Sequence, residues 1–172
     1  MIARRGVLAL GAAASVGGCG FRPLYGTLAS GGTVRPELAA IYVAVMYERQ
    51  GQLLRQALQR RFEGTDASVA KRFELTGGLA VNAEGIGIQG DSSSTRVRLN
   101  ASSTWTLRRL DVATTPVTNG VARAIDGYNI NNQEYFAADL EQSAAIRRLA
   151  DTVADQITQD LAVYFRAHPT TA

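Results

Sequence analysis

Hydrophobic and polar positions along this chain alternate with two different periods, and the switches between them lay out an order of elements. Ala39 to Tyr47 sets Ile41, Val43, Val45 and Tyr47 on one side at period two, with β-branched enrichment, which predicts a first strand. From Gln50 to Phe62 the period lengthens. Leu53, Leu54, Ala57, Leu58 and Phe62 recur at helical spacing, Gln52, Arg55, Gln59 and Arg60 fall elsewhere, and Gly64 supplies a stop, so an amphipathic helix is expected. Arg72 to Ala83 alternates again, Phe73, Leu75, Leu79 and Val81 against Glu74, Thr76 and Asn82. Glycines at 77, 78, 85, 87 and 90 mark interruptions or bulges and leave the end of this strand open.

The clearest strand runs from Thr95 to Arg108. Val97, Leu99, Ala101, Trp105 and Leu107 share one face; Arg96, Arg98, Asn100, Ser102, Thr104, Thr106 and Arg108 share the other. One face buried and one wet is what an antiparallel sheet covered on one side requires. Its length, roughly 46 Å at about 3.3 Å per residue, calls for a bend or bulge. Thr114-Thr115-Pro116 makes a turn, and Val117 to Tyr128 follows as a strand in which Val121, Arg123 and Ile125 alternate with Ala122 and Ala124. From about Ala137 to Arg166 a long helix carries Ile146, Leu149, Ala150, Val153, Ile157, Leu161 and Tyr164 as an apolar stripe, with Arg147, Arg148, Asp151, Asp155 and Gln159 opposite; His168-Pro169 ends it. The order β-α-β-β-β-α predicts an α+β two-layer sandwich, an antiparallel four-stranded sheet with two helices packed on one face.

Residues before the first strand change the setting. Arg4 and Arg5, the apolar run Val7 to Val16 and the small pair Gly17-Gly18 form a bacterial export signal at residues 1–18. The run is too short to span about 30 Å of hydrocarbon. Its context favours the general secretory route over the twin-arginine one. Val16-Gly17-Gly18-Cys19 resembles a lipobox, at which a thiolate is acylated and the chain is cut beside small residues. Cys19, the chain's single cysteine, would then be the lipidated first residue. Two or three acyl chains, palmitate among them, hold stably where one holds marginally. Gly20 is not the aspartate that retains such proteins in the inner membrane, so the expected address is the periplasmic face of the outer membrane. Residues 19–36 read as lipidated terminus and linker, with Gly26 to Gly32 rich in small residues, and 37–172 as one domain.

Processing also reduces the charge. The full chain carries 18 Lys+Arg against 15 Asp+Glu; losing Arg4 and Arg5 leaves +1, which argues against nucleic-acid binding. No internal disulfide can form, since Cys19 has no partner thiol. Enzymatic chemistry finds little purchase. The one histidine, His168, stands near the tail, Asp139, Glu141, Asp151, Asp155 and Asp160 sit where a solvated helix face puts them, and Gly85-Ile86-Gly87 lacks the third glycine of a dinucleotide site. No catalytic residue, metal or cofactor is expected. Arg96, Arg98 and Arg123 are the candidate binding residues, because arginine forks take phosphate or carboxylate in pairs of hydrogen bonds. The commoner reading is that they are ordinary charges on an exposed sheet, and an exposed strand edge could accept a partner strand.

The run Cys19-Gly20-Phe21-Arg22-Pro23-Leu24-Tyr25-Gly26 directly after the lipobox, with the element order and the long last helix, resembles the LptE family of lipopolysaccharide-assembly lipoproteins in its alphaproteobacterial form. The resemblance implies a non-enzymatic plug within the β-barrel of a partner, LptD, which helps that barrel assemble and deliver lipopolysaccharide to the outer leaflet. It also implies lipopolysaccharide contacts near the second-to-third strand turn and on the last strand. Here that turn, Gly90 to Ser94, carries no basic residue, while Arg123 lies in the last strand. The competing expectation is a free-standing outer-membrane lipoprotein that binds a ligand or cell-wall component on its sheet face.

Overall fold

The structure, a computed structural model, describes residues 34–62, 68–88, 94–111, 115–130 and 135–169. The expected export signal, Cys19, the following motif and linker, Gly64, residues 90–93, Thr114 and the end of the tail lie outside the described residues. Among the described residues eight elements follow one another: α1 (Arg35–Ala39), β1 (Ile41–Val43), α2 (Glu48–Phe62), β2 (Phe73–Gly77), β3 (Ala80–Ile88), β4 (Ser94–Arg109), β5 (Pro116–Asn129) and α3 (Tyr135–Ala167).

The expected α+β architecture is present, with β4 as its spine. β5 pairs antiparallel along one side of β4, from Arg96↔Asn129 to Arg108↔Pro116, with a register shift between Leu107 and Arg108 that supplies the expected irregularity. The other side of β4 is shared. β2 takes its C-terminal end, Gly77↔Trp105 to Phe73↔Arg109, and β3 takes the rest, Ala80↔Ser102 to Ile88↔Ser94, both antiparallel.

The sheet therefore differs from the expected one in two ways. Its strands number five, because the single strand expected at Arg72–Ala83 is split at Gly78-Leu79 and runs on to Ile88. It is mixed, because β1 lies parallel to β2, Ile41↔Phe73 to Val43↔Leu75. A helix separates β1 from β2, and such a crossover makes a parallel neighbour feasible where a tight turn would not.

The expected first strand, Ala39–Tyr47, shrinks to three residues for a local reason. Pro36 opens α1, which ends at Ala39. Beyond Val43 the alternation fails, since Met46 is buried while Val45 and Tyr47 are exposed. Met46 is drawn in by α2, where a Cβ on Gly51 would stand 3.2 Å from Met46 Cβ and Gln52 Nε2 donates to Met46 O at 2.6 Å. Glu48 starts that turn at φ 62°, in the left-handed region.

The core lies between sheet and helices. Odd-numbered β4 residues (Val97, Leu99, Ala101, Trp105, Leu107) meet Leu54 and Leu58 of α2 and Leu149, Val153, Ile157 and Leu161 of α3, all buried. Each large side chain so buried contributes about 1.5–3 kcal/mol. The trace of α3 follows the expected stripe, with Ala145, Ala154, Ala162 and Phe165 added to it. At one point the fit is tight: the Trp105 indole lies over Gly120 of β5, where a Cβ would come within 2.6 Å of Trp105 Cζ2. Only glycine leaves room there.

Two of the acidic residues placed on a solvated helix face are engaged instead. Asp151 and Asp155 join α3 to α2, Arg60 Nη2 donating to Asp151 Oδ1 at 3.0 Å and Arg61 Nε to Asp155 Oδ1 at 2.7 Å. Hydrogen bonding to Asp155, against partial burial, raises the Arg61 pKa still further above its ordinary value. The spacing of the two aspartates matches successive turns of α3 and brings both within reach of adjacent arginines on α2.

Candidate functional site

Helices cover one face of the sheet and leave the other bare, and the strand pairing decides what stands there. Directly paired residues share a face, so the even-numbered residues of β4 are joined by Glu74 of β2, Glu84 of β3 and Arg123 of β5. Arg96, Arg98 and Arg123 are all exposed on this open face, where the strand pattern put them.

Their surroundings differ. Arg98 Nη2 donates to Glu84 Oε2 at 2.7 Å, so its charge is already matched across the strands. Arg96 reaches toward β5, its Nε 3.7 Å from where a Gly127 Cβ would be, and lines a groove of about 440 Å³ with Tyr128, Asn129, Ala138 and Glu141. Arg123 pairs with Ser102, four residues along β4 from Arg98, so its backbone stands about 13 Å further down the sheet. The structure brings Arg96 and Arg98 together and sets Arg123 apart.

Pattern reasoning left out the apolar companions of Arg123. Val121 (47% exposed) and Ile125 (71% exposed) flank it on the same open face, giving an aliphatic–cationic–aliphatic strip on β5. The signal was available in the alternation: Ala122 and Ala124, the small residues, are the buried ones, which sends the large residues outward. Such a strip suits an amphiphile, with charge and alkyl carbon side by side.

The other candidate chemistry disperses. His168 stacks on Tyr164 with ring centroids 4.5 Å apart, and its Nδ1 lies 3.1 Å from Tyr164 O, a helix-end contact. Burial raises the Asp160 carboxyl above its ordinary value. Among the described residues no group of His, Cys, Asp or Glu is placed to hold a metal, and no helix is long and apolar enough to cross a membrane.

The family model for LptE, lipopolysaccharide assembly, matches residues 38–161, from α1 into the last turns of α3. The chain belongs to the LptE family. Two solved structures share the LptE-like architecture. A candidate lipoprotein from Caulobacter crescentus CB15 superposes with a TM-score of 0.63 at 25% identity, covering 80% of this chain and 98% of the other. The rare lipoprotein B of Shewanella oneidensis gives 0.52 at 12% identity, covering 72% and 93%, a likeness of fold alone. No curated protein matches the sequence significantly. As an LptE-family chain, this is a lipopolysaccharide-assembly protein.

Proposed function

We propose that this LptE-family chain is exported through residues 1–18, lipidated at Cys19 and held at the periplasmic side of the outer membrane, where it plugs an LptD-type β-barrel and assists lipopolysaccharide delivery without catalysing a reaction. The observation that carries this reading is the family match over most of the described fold, from Leu38 to Leu161. The bare sheet face supports it further. Arg96, Arg98 and Arg123, beside Val121 and Ile125, present guanidinium donors and aliphatic carbon together. A phosphorylated, acylated glycolipid offers the matching groups.

The test is a detergent pull-down of the tagged full-length protein from its native envelope. A large β-barrel recovered at near-equal stoichiometry supports the plug reading. A lone lipoprotein would replace it with a free-standing binder of a ligand or cell-wall component.

A further inference from the structure

Four elements meet at the end of the molecule where the described residues begin. Ala40 O, just past α1, accepts the backbone N–H groups of Arg72 and Phe73 at the start of β2. Phe73 lies opposite Arg109 at the end of β4, and its ring centroid stands 5.2 Å from that of Phe165 in the last turn of α3. At the other end of the sheet Arg96 shares its groove with Ala138 and Glu141, near the start of α3. The 33 residues of α3 set the two ends roughly 50 Å apart.

The first end is basic. Arg35, Lys71, Arg72, Arg108 and Arg109 gather there against Glu37, Glu74 and Asp111, an excess of two positive charges. Arg72 Nη2 is held by Glu37 at 2.6 Å and Arg109 Nη2 by Asp111 at 2.7 Å. Lys71 Nζ uses one of its three donors on Ala39 O at 2.8 Å. The side chains of Arg35 and Arg108 are exposed and have no hydrogen bond or ion pair among the described residues. Lys71, Arg72, Phe73, Arg109 and Leu110 surround a hollow of about 210 Å³, and Leu110 is 48% exposed at its rim. The opposite end of α3 carries Asp139 and Glu141 and no base before Arg147, so charge is polarised along the long axis.

We infer that this basic corner is a membrane-facing surface, which sets Arg35, Lys71 and Arg108 on the anionic phospholipid headgroups of the bilayer and Leu110 toward the acyl boundary. Lipidation of Cys19, part of the reading above, supplies the tether on which this orientation rests. The chain enters the fold at this corner, and Val34 stands fifteen residues after Cys19. That many residues reach at most about 50 Å, so the acyl chains keep this end beside the bilayer while α3 carries the acidic end away. A polyanion in solution has no such attachment to the corner. Arginine forks take phosphate, and basic side chains flanking an exposed leucine match the boundary between headgroup and hydrocarbon. The attraction acts within a Debye length of the surface and is weakened by salt.

Lys71 is the only lysine in the chain, so its acetylation by a membrane-impermeant succinimidyl ester reports on this corner alone. The full-length protein, purified from its native envelope, is added to preformed vesicles of phosphatidylcholine, or of phosphatidylcholine with about one third phosphatidylglycerol, and the reaction is timed by peptide mass spectrometry. The expected result is acetylation at least about threefold slower on the anionic vesicles, restored by about 0.5 M salt. Asp139→Lys puts a second amine at the far end, which should react equally fast on both. Arg35→Gln with Arg108→Gln breaks no described bond, and should abolish the protection of Lys71 while the melting temperature holds. Equal Lys71 rates on the two vesicles would leave the corner to a protein partner and overturn the inference, as would equal slowing at Lys71 and at the Asp139→Lys amine, or protection that survives the double substitution. Intact mass of the same preparation reads the acyl chains on Cys19 separately, so a missing anchor fails the tether and the Lys71 comparison still decides the face.

Discussion

The two faces of β4, one residue out of step with each other, lead separate lives. On the covered face Val97, Leu99, Ala101, Ser103, Trp105 and Leu107 are buried in unbroken succession. On the open face Arg96, Arg98, Thr104 and Arg108 stand in water. The covered face is so committed to packing that Ser103 Oγ and Trp105 Nε1 are buried without a hydrogen-bond partner, each at a cost of about 1–3 kcal/mol. Stability resides in one set of alternate residues and exposed charge in the other. A slip of one residue in register would exchange them.

Substitutions should separate the faces by size of effect. Trp105→Ala empties the largest site on the covered face and should cost about 3–5 kcal/mol in chemical denaturation. Gly120→Ala forces a methyl into the indole at 2.6 Å and should cost about 1–3 kcal/mol by the same measurement. The sheet edge comes next. Asp126 accepts a hydrogen bond from Arg148 Nε, and that bond, against partial burial and with help from Gly127 N–H and the Arg148 charge, holds the carboxyl below its ordinary value. A lowered folded pKa means stability present above the unfolded aspartate value of about 3.9 and lost as pH falls through the folded one. Asp126→Asn should cost about 0.2–1 kcal/mol at neutral pH and flatten the loss of stability below about pH 4, seen in melts across pH. Smallest of all, Arg98→Ala breaks only an exposed pair and should shift stability by less than about 0.5 kcal/mol. Equal losses in Trp105→Ala and Arg98→Ala would mean the faces are reversed.

What could be read from the chain beforehand follows the same division. β4 and α3 were legible because their periods persist over many residues and burial enforces them. Arg96, Arg98 and Arg123 were placed on the open face by alternation alone. β1 was not legible past Val43, since the pull of α2 on Met46 is a tertiary effect that the pattern Ile41, Val43, Val45, Tyr47 contradicts. The parallel pairing of β1 with β2 depends on a crossover, which residue alternation does not encode. Asp151 and Asp155 looked like solvated charges because their partners, Arg60 and Arg61, lie some 90 positions away in sequence. The strip around Arg123 is hard to read from sequence because Val121 and Ile125 have the character of core residues, and only the burial of Ala122 and Ala124 shows that they face outward.

The joint at α1 has a mechanical consequence. Val34 and Leu38 are buried, Arg72 Nη2 grips Glu37 at 2.6 Å, Lys71 Nζ donates to Ala39 O at 2.8 Å, and Ala40 O accepts the backbone N–H groups of Arg72 and Phe73. Tension arriving from the N-terminal side must enter the sheet through β1 and its parallel neighbour β2. Parallel strands drawn along their length are loaded in shear, so their bonds resist together where a hairpin would peel open one bond at a time. The corner that joins the fold to whatever precedes Val34 is thus braced against shear, and the arginine-bearing face stays outside the path of the load.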